Sequence, residues 1–217
     1  MRNSLAISRA SPEAYASLAH LHYRAGSPAT LAGVWGARIG RDLAGVLVVS
    51  APVLNGPWRG LAWGPGFDAS PRAVNRSVRC ISRLIIDPRF RGIGIATALV
   101  RAYLASPLTP CTEALAAMGR ACPCFERAGM RAVAFPPSRR DRRLSHRLAV
   151  LGIDPCRLVH APTCGALLRE HASLGPALRR WANDSRATRA RRDADPIDLA
   201  VCAAAALASP RVAYTAP

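Results

Sequence analysis

Changes in the hydrophobic period along the chain divide it into elements. Ser11 followed by Pro12 is a helix-start signal and predicts a short helix near the N-terminus. Two apolar runs, residues 31–39 and 43–51, then flank a Gly-Arg-Asp turn, which is typical of a β-hairpin. Segment 55–71 is rich in glycine, proline and tryptophan, so it predicts an irregular loop.

The strongest pattern is a strand, a turn and a helix between residues 80 and 105. Residues 80–86 are dense in isoleucine and predict a strand, which Asp87 and Pro88 end because proline supplies no amide donor. A glycine-containing turn leads into a helix over 94–105. The apolar stripe of this helix recurs at i, i+3, i+4 and i+7 and consists of Ala96, Leu99, Val100 and Tyr103.

Shorter elements complete this unit before the chain changes character. A strand at 113–118, a short helix at 123–128 and a strand at 130–135 follow the long helix. Beyond them the sequence is arginine-rich, with helical patterns separated by polar linkers. We therefore predict a folded domain over 1–135 and a basic, mostly helical extension over 136–217.

Length, composition and cysteine usage narrow the class of protein. The 217 residues are 50% hydrophobic, enough for a sizeable core. No apolar stretch reaches the roughly 18–20 residues of a membrane span, and the first residues lack the apolar core of a signal peptide. We expect a cytoplasmic protein without a membrane partner. Cys122 and Cys124 are the only close pair among seven cysteines, so we expect free thiols, no disulfide framework and no bound metal.

The net charge of +17 comes from arginine alone, because the 30 basic residues include no lysine. Such a surface attracts polyanions. Two dense clusters lie in the extension, at 139–143 and 186–192, and clusters of this kind suit the phosphates of nucleic acid. Two interpretations stay open: the arginines reflect GC-rich coding bias and serve solubility, or the extension has DNA or RNA as a partner, which is the interpretation that the clusters favour. For roughly six phosphate contacts, the affinity would fall about 10³-fold between 50 and 200 mM salt.

Candidate cofactor-binding residues lie in the turn before the long helix. Amides at a helix start lack intrahelical partners and the helix dipole adds positive potential, so a pyrophosphate is a suitable ligand. Glycine lets the backbone approach such an anion without a Cβ. The string fits neither the P-loop, which needs Gly-Lys-Ser/Thr, nor the dinucleotide fingerprint G-x-G-x-x-G. The sequence of this turn is Arg91-Gly92-Ile93-Gly94-Ile95-Ala96.

This string resembles the acyl-CoA loop of the GNAT acyltransferase superfamily, Arg/Gln-x-x-Gly-x-Gly/Ala. The preceding strand and segment 123–130, Pro-Cys-Phe-Glu-Arg-Ala-Gly-Met, are similar to further parts of that family's pattern. The resemblance implies an α/β (or α+β) fold with a mixed, mainly antiparallel sheet, splayed near its fourth and fifth strands and flanked by helices. It also implies acetyl-CoA or a similar acyl-CoA as co-substrate. The loop amides would hold its pyrophosphate, the backbone at Ile85 and Ile86 its pantetheine arm, and Phe125 would flank that arm.

The catalytic positions depart from the family pattern. GNAT enzymes use a base, often a carboxylate, and an acid, often a tyrosine. In this chain Phe125 stands where the tyrosine is common and has no proton to give, which leaves the neighbouring Cys124 as the candidate acid. Asp87 at the end of the strand is a candidate base.

A second set of candidates lies near the N-terminus. His22, Tyr23 and Arg24 place a proton shuttle, a phenol and a fixed cation side by side. The GNAT layout implies that His22 and Tyr23 serve catalysis there, and that Arg24 and Arg83 contact the acceptor. This string resembles an outlying GNAT group, which includes the GNAT-like domains fused to ABC-type ATPases and, more remotely, the phage Mom proteins that modify adenine in DNA.

Three functions remain open at this point. The first is acyl-CoA-dependent N-acyl transfer to an unidentified amine. The second is a Mom-like modification of a nucleobase in DNA with an acyl-CoA. The third is a non-catalytic GNAT-derived module that binds or regulates, associated with nucleic acid or with an ABC-type ATPase.

Overall fold

The structure is a computed structural model that describes residues 4–22, 28–117, 119, 121–134, 136–185, 188–208 and 211–217. The chain divides into two compact units. The first contains residues 1–135 together with 211–217, and the second contains residues 136–210.

The first unit is built on one seven-stranded sheet with flanking helices. Its elements in chain order are β1 (Leu5–Ala10), α1 (Pro12–Leu18), β2 (Gly33–Ile39), β3 (Asp42–Ser50), α2 (Arg59–Trp63), α3 (Pro71–Ser77), β4 (Val78–Ile86), α4 (Ile95–Leu104), β5 (Cys111–Ala116), α5 (Cys124–Arg127), β6 (Arg131–Val133) and β7 (Val212–Ala216). The strand order in the sheet is β1-β2-β3-β4-β5-β7-β6. All neighbouring strands are antiparallel except β4 and β5, which are parallel. The predicted mixed, mainly antiparallel sheet flanked by helices is confirmed.

Successive side chains of β3 pack on opposite faces of the sheet. Both faces are buried, which is why the sequence of this strand is one continuous apolar run. Leu47 and Val49 belong to the core on the α4 side of the sheet. Val46 and Val48 pack with α1 on the other side. All four side chains are fully buried, so β3 forms the centre of the unit.

The segment that the sequence predicts as an irregular loop contains a short helix held by a buried ion pair. Arg59 begins α2, and its guanidinium lies 2.8 Å from the carboxylate of Glu113 on β5. The indole of Trp58 donates to the same carboxylate at 2.9 Å. This ion pair attaches α2 to the sheet, and the loop prediction is therefore wrong for residues 59–63.

The last strand returns to the sheet of the first unit. The sequence assigns residues 212–216 to the helical extension, whereas β7 lies between β5 and β6, with Tyr214 opposite both Ala114 and Ala132. Ala213 and Tyr214 are almost completely buried, and their burial stabilises this position. The helical extension is thus preceded and followed in the sequence by strands of the sheet.

The second unit is helical and has its own core. Its helices are α6 (Arg139–Val150), α7 (Ala161–Glu170), α8 (Leu174–Asn183) and α9 (Pro196–Ala208). Leu174, Leu178 and Trp181 recur at i, i+4 and i+7 on α8 and are buried against Leu144 and Leu148 of α6. Among the described helices of the whole chain, none is long and apolar enough to cross a membrane.

Candidate functional site

The end of β4 is fixed by a capped corner. The amide of Asp87 donates to the carbonyl of Ala44 on β3 at 3.0 Å, so the sheet continues to this residue. The carboxylate of Asp87 accepts from the amide of Arg89 at 2.9 Å and pairs with its guanidinium at 2.9 Å. These bonds from Arg89 hold the pKa of Asp87 below its ordinary value. Asp87 therefore caps the corner, and a carboxyl group with a lowered pKa is a weaker base.

The loop after this corner forms an open cradle at the start of α4. Gly92 and Gly94 have φ angles of +83° and +89°, which glycine adopts far more readily than other residues. A Cβ built on either glycine would meet nothing within 4 Å, so the space above the backbone is clear. Ile95 is buried in the core and anchors the helix beneath the cradle.

The cradle presents backbone donors to the clear space. The first bond of the α4 ladder runs from the amide of Ala98 to the carbonyl of Gly94 at 3.0 Å. The amides of Ile95, Ala96 and Thr97 precede that bond, as expected at a helix start. In the same loop, Arg91 Nε donates to the carbonyl of Ile86 at 3.1 Å. The loop therefore combines a helix start, which has positive potential, with a cation, and its Ile93 is exposed.

A gap between β4 and β5 leads to this cradle. The two strands pair only from Val78 opposite Cys111 to Ile81 opposite Ala114. The pairing of β4 with β3 shifts register at the same point, because Val48 lies opposite Arg83 and Val49 opposite Ile81. Ser82 is thus an extra residue in β4, a β-bulge, and strands bend at bulges. The predicted splay between the fourth and fifth strands is confirmed and begins at this bulge.

The register determines which backbone groups of β4 face the gap. Because the amide of Asp87 bonds to β3, alternation directs the backbone of Ile85 to β3 as well and that of Leu84 and Ile86 to the open side. The side chain of Ile85 is buried in the α1 layer. The backbone of Ile86 therefore lies on the open side together with that of Leu84, whereas the backbone of Ile85 pairs with β3. The assignment of Ile85 and Ile86 to the pantetheine arm stays a prediction.

The predicted acceptor-binding residues fall partly outside the described chain. Arg83 lies opposite Val48, so its side chain is on the α1 side of the sheet, where it is 7% exposed. His22 directly follows Leu21, which packs against the core of that same side. Tyr23 and Arg24 lie outside the described residues, so their meeting with Arg83 stays a prediction.

The segment that carries Cys124 and Phe125 packs on the α4 side of the gap. Phe125 is 7% exposed and belongs to the core there. Burial, and then the neighbouring Cys122, raise the pKa of the Cys124 thiol to about 12. The thiol of Cys124 is therefore protonated at neutral pH and is a weaker proton donor than an ordinary thiol.

Sequence reasoning missed one aromatic neighbour of this segment. Tyr214 on β7 stacks on Phe125, with ring centroids 5.1 Å apart and an angle of 28° between the rings. Burial, and then the charge of Glu126, raise the pKa of its phenol. Only the alternation in the last strand could have indicated this neighbour, since Tyr214 is distant in sequence.

The remaining titratable side chains do not assemble a metal centre in the part of the chain that the structure describes. All seven cysteines are free thiols; Cys164 is buried, whereas Cys122 and Cys156 are exposed.

Comparison with known proteins finds no matching family model and no matching curated protein. Among solved structures, the chain is similar to Arabidopsis thaliana NAA60 in complex with acetyl-CoA, with 14% identity and a TM-score of 0.43 over 60% of this chain and 88% of that one. It is also similar to Ard1 from Thermoplasma volcanium, with 15% identity and a TM-score of 0.40 over 60% of this chain and 84% of that one. At this distance neither likeness assigns the chain to a family.

Proposed function

We propose that the first unit is an acyl-CoA-dependent N-acyltransferase, which uses acetyl-CoA or a similar thioester as co-substrate. The observation that carries the proposal is the gap between β4 and β5, which opens at the bulge of Ser82 and ends at the double-glycine cradle. A gap lined by unpaired strand backbone suits an extended ligand, and the cradle suits an anion at one end of it. Coenzyme A combines both features, because its extended, amide-containing arm is attached to its pyrophosphate.

The cradle supplies the anion-binding part. The amides of Ile95, Ala96 and Thr97 lie at the positive end of the α4 dipole, and Arg91 adds a full charge. The clear space above Gly92 and Gly94 allows a pyrophosphate to reach the backbone. In this proposal the arm then runs along Leu84 and Ile86, where the backbone of Leu84 and the amide of Ile86 can pair with its amides as a neighbouring strand would, while the carbonyl of Ile86 accepts from Arg91.

The chemistry of acyl transfer requires a base and an acid. The acceptor nitrogen forms a bond to the thioester carbon, the C–S bond breaks, the amine loses a proton and the thiolate gains one. We retain His22 as the base, since imidazole is the side chain that most often serves as a general base. Asp87 is engaged by Arg89 and is set aside as a base.

The leaving thiolate has no strong acid among the described side chains of this segment. Proton transfer from Cys124, whose pKa is about 12, to a thiolate with an ordinary pKa of about 8.5 is uphill. Phe125 has no proton to give. We therefore infer that solvent protonates the thiolate, so that turnover depends more on the base and on binding than on Cys124.

An amine of a nucleobase in DNA is the second candidate acceptor. Residues 1–135 and 211–217 contain 17 arginines against six acidic residues, a balance that favours a polyanionic acceptor. This is the observation that favours a Mom-like reaction over acylation of a small neutral amine.

Calorimetry with acetyl-CoA on wild type, Gly94→Val and Gly152→Val tests the proposal. Gly152 is the matched control: its φ is +66°, a Cβ there also meets nothing within 4 Å, and it lies in the second unit. Both substitutions impose similar backbone strain, but only the change at Gly94 fills the cradle. We expect wild type and Gly152→Val to bind alike, and Gly94→Val to bind at least tenfold more weakly with an unchanged circular-dichroism spectrum.

A wild-type protein that binds no acyl-CoA, or a Gly94→Val variant that binds as tightly as Gly152→Val, would exclude the proposal. Release of free thiol from acetyl-CoA, measured with amines and with DNA as acceptors, then separates the two candidate reactions. Tight binding without thiol release from any acceptor would identify a non-catalytic module.

A further inference from the structure

A recess of about 620 Å³ lies between α6 and α8 in the second unit, and arginine dominates its walls. Two of these arginines make contacts within the protein. Arg140 lies over the ring of Trp181, 4.4 Å from the ring centroid, and Arg143 forms an ion pair with Asp184. The other arginines are exposed and have no ion-pair partner within the described residues: Arg139, Arg142, Arg147 and Arg180.

The positions of Arg139 and Arg142 on α6 oppose the stability of the helix, whereas Arg147 lies in its last turn, where a cation is favourable. Arg139 and Arg142 lie in its first turns, where the backbone dipole is positive and each cation costs about 0.3–1 kcal/mol at low salt. Ser138 caps the helix, and Asp141 is used by the cap and by the indole of Trp181. Helix stability therefore does not explain why arginines crowd this end, whereas a bound anion would.

The spacing of the cations fits a chain of phosphates. Arg139, Arg142, Arg143, His146 and Arg147 recur at i, i+3, i+4, i+7 and i+8, which places them in one stripe along α6. Eight residues of helix rise about 12 Å, which spans three to four phosphates at about 3.4 Å of axis per phosphate on one strand. Arg180 stands on the opposite wall, so the recess is a groove with cations on both sides.

We propose that this groove binds the sugar-phosphate backbone of a nucleic acid. A single small phosphate would use only part of a linear stripe, and a flat bilayer surface cannot enter a recess. Trp181 is 3% exposed and is covered by Arg140, so it offers no face on which a base could stack. Contacts are therefore to phosphates, and binding discriminates little between sequences. This proposal is independent of acyl transfer, which belongs to the other unit.

Fluorescence anisotropy with a labelled 20-base-pair DNA duplex of random sequence tests the groove. For the four arginines without an ion-pair partner, the affinity of the full chain should fall about 10²-fold between 50 and 200 mM salt, with a log–log slope of about −3.6. The figure of roughly six contacts in the sequence analysis covered both arginine clusters of the extension, whereas this estimate counts only the recess arginines that have no ion-pair partner within the described residues.

Two triple variants of equal charge separate the groove from net charge. The groove variant combines Arg142→Gln, Arg147→Gln and Arg180→Gln, and the control combines Arg157→Gln, Arg169→Gln and Arg179→Gln. The control residues are also exposed arginines of the second unit but do not line the recess. For the groove variant, we expect the slope of log affinity against log salt concentration to become less negative by about three, and the affinity at 100 mM salt to fall at least tenfold. The control should change far less in both.

Three results would overturn the proposal. Equal losses in both variants would show that only net charge attracts DNA, and a salt-independent affinity would exclude phosphate contacts. Groove-dependent binding to vesicles with 30% phosphatidylserine, as tight as to DNA, would identify the groove as a lipid site instead. Thermal unfolding of both variants checks that the second unit stays folded; we expect each Tm to lie within roughly 4 °C of wild type, because each substituted arginine changes helix stability by about 1 kcal/mol or less.

Discussion

Removing the Glu113 carboxylate would leave Arg59 as a buried cation without its counter-ion. The side chains of Arg59 and Glu113 are 2% and 1% exposed. The carboxylate accepts from Arg59 Nε at 3.0 Å, from Arg59 Nη2 at 2.8 Å and from the indole of Trp58 at 2.9 Å. Two further guanidinium donors reach the carbonyls of Val53 and Leu54. Water therefore has little access to a guanidinium that loses Glu113.

The expected cost of Glu113→Ala follows from this burial. Breaking a buried pair by removing one partner typically costs about 3–5 kcal/mol, a large share of the roughly 5–15 kcal/mol that stabilises a domain. For a chain of this size, each kcal/mol lowers Tm by roughly 2–4 °C, so Tm should fall on the order of 10 °C. The double variant Arg59→Leu/Glu113→Leu should lose less than Glu113→Ala alone, because it removes both charges together.

Urea unfolding monitored by tryptophan fluorescence measures this effect, since Trp58 contacts the pair directly. Glu170→Ala is the matched control, because the side chain of Glu170 is 68% exposed and its removal should change the free energy of unfolding by less than about 0.5 kcal/mol. A Glu113→Ala variant within 1 kcal/mol of wild type, or a double variant less stable than Glu113→Ala, would refute the account of α2 as fastened through this ion pair.

Two further predictions concern titration and reactivity. The folded-state pKa of Asp87 is lowered, so the stability that its carboxylate contributes is present above the unfolded-state pKa of about 4 and is lost as pH falls through the folded-state value. The difference in Tm between wild type and Asp87→Asn should accordingly be larger at pH 7 than at pH 3, and an equal difference at both pH values would contradict the assignment. Because burial raises the pKa of Cys124 to about 12, iodoacetamide at pH 8 should alkylate the exposed Cys122 and Cys156 and spare Cys124, as measured by peptide mass spectrometry. Unfolded protein, in which all seven thiols should react, is the control; alkylation of Cys124 at the rate of Cys122 in the native protein would show that the thiol is accessible and ordinary.

The local features of the candidate site could be predicted from sequence because they depend on near neighbours. Proline after Asp87 ends a strand, glycines allow the positive φ angles of the cradle, and the apolar stripe defines α4. Each of these effects acts over a few residues. The strand, the turn and the helix start therefore appear in the structure close to where the sequence predicts them, with α4 at Ile95–Leu104.

The register between β3 and β4 decides which backbone groups of β4 face the gap. Register is a property of a pair of strands, so one strand's sequence does not determine it. A single extra residue at Ser82 shifts the pairing with β3, which directs Leu84 and Ile86 rather than Ile85 to the open side. Nothing in the string of residues from 80 to 86 marks Ser82 as a bulge. The sequence could therefore propose β4 as the strand beside the arm, but it could not identify which backbone groups of β4 lie on the open side.

Long-range contacts decided the rest. Arg59 and Glu113 are 54 residues apart, and a glycine- and proline-rich segment has no periodicity that would reveal their pairing. Tyr214 reaches Phe125 only because the last strand returns to the sheet after the whole helical unit. The sequence by itself determined the strand, the glycine cradle, the helix and the arginine clusters, since each follows from local propensity or composition. The tertiary structure decided the neighbours across the sheet and the groove between α6 and α8, because burial energy depends on which distant surfaces meet.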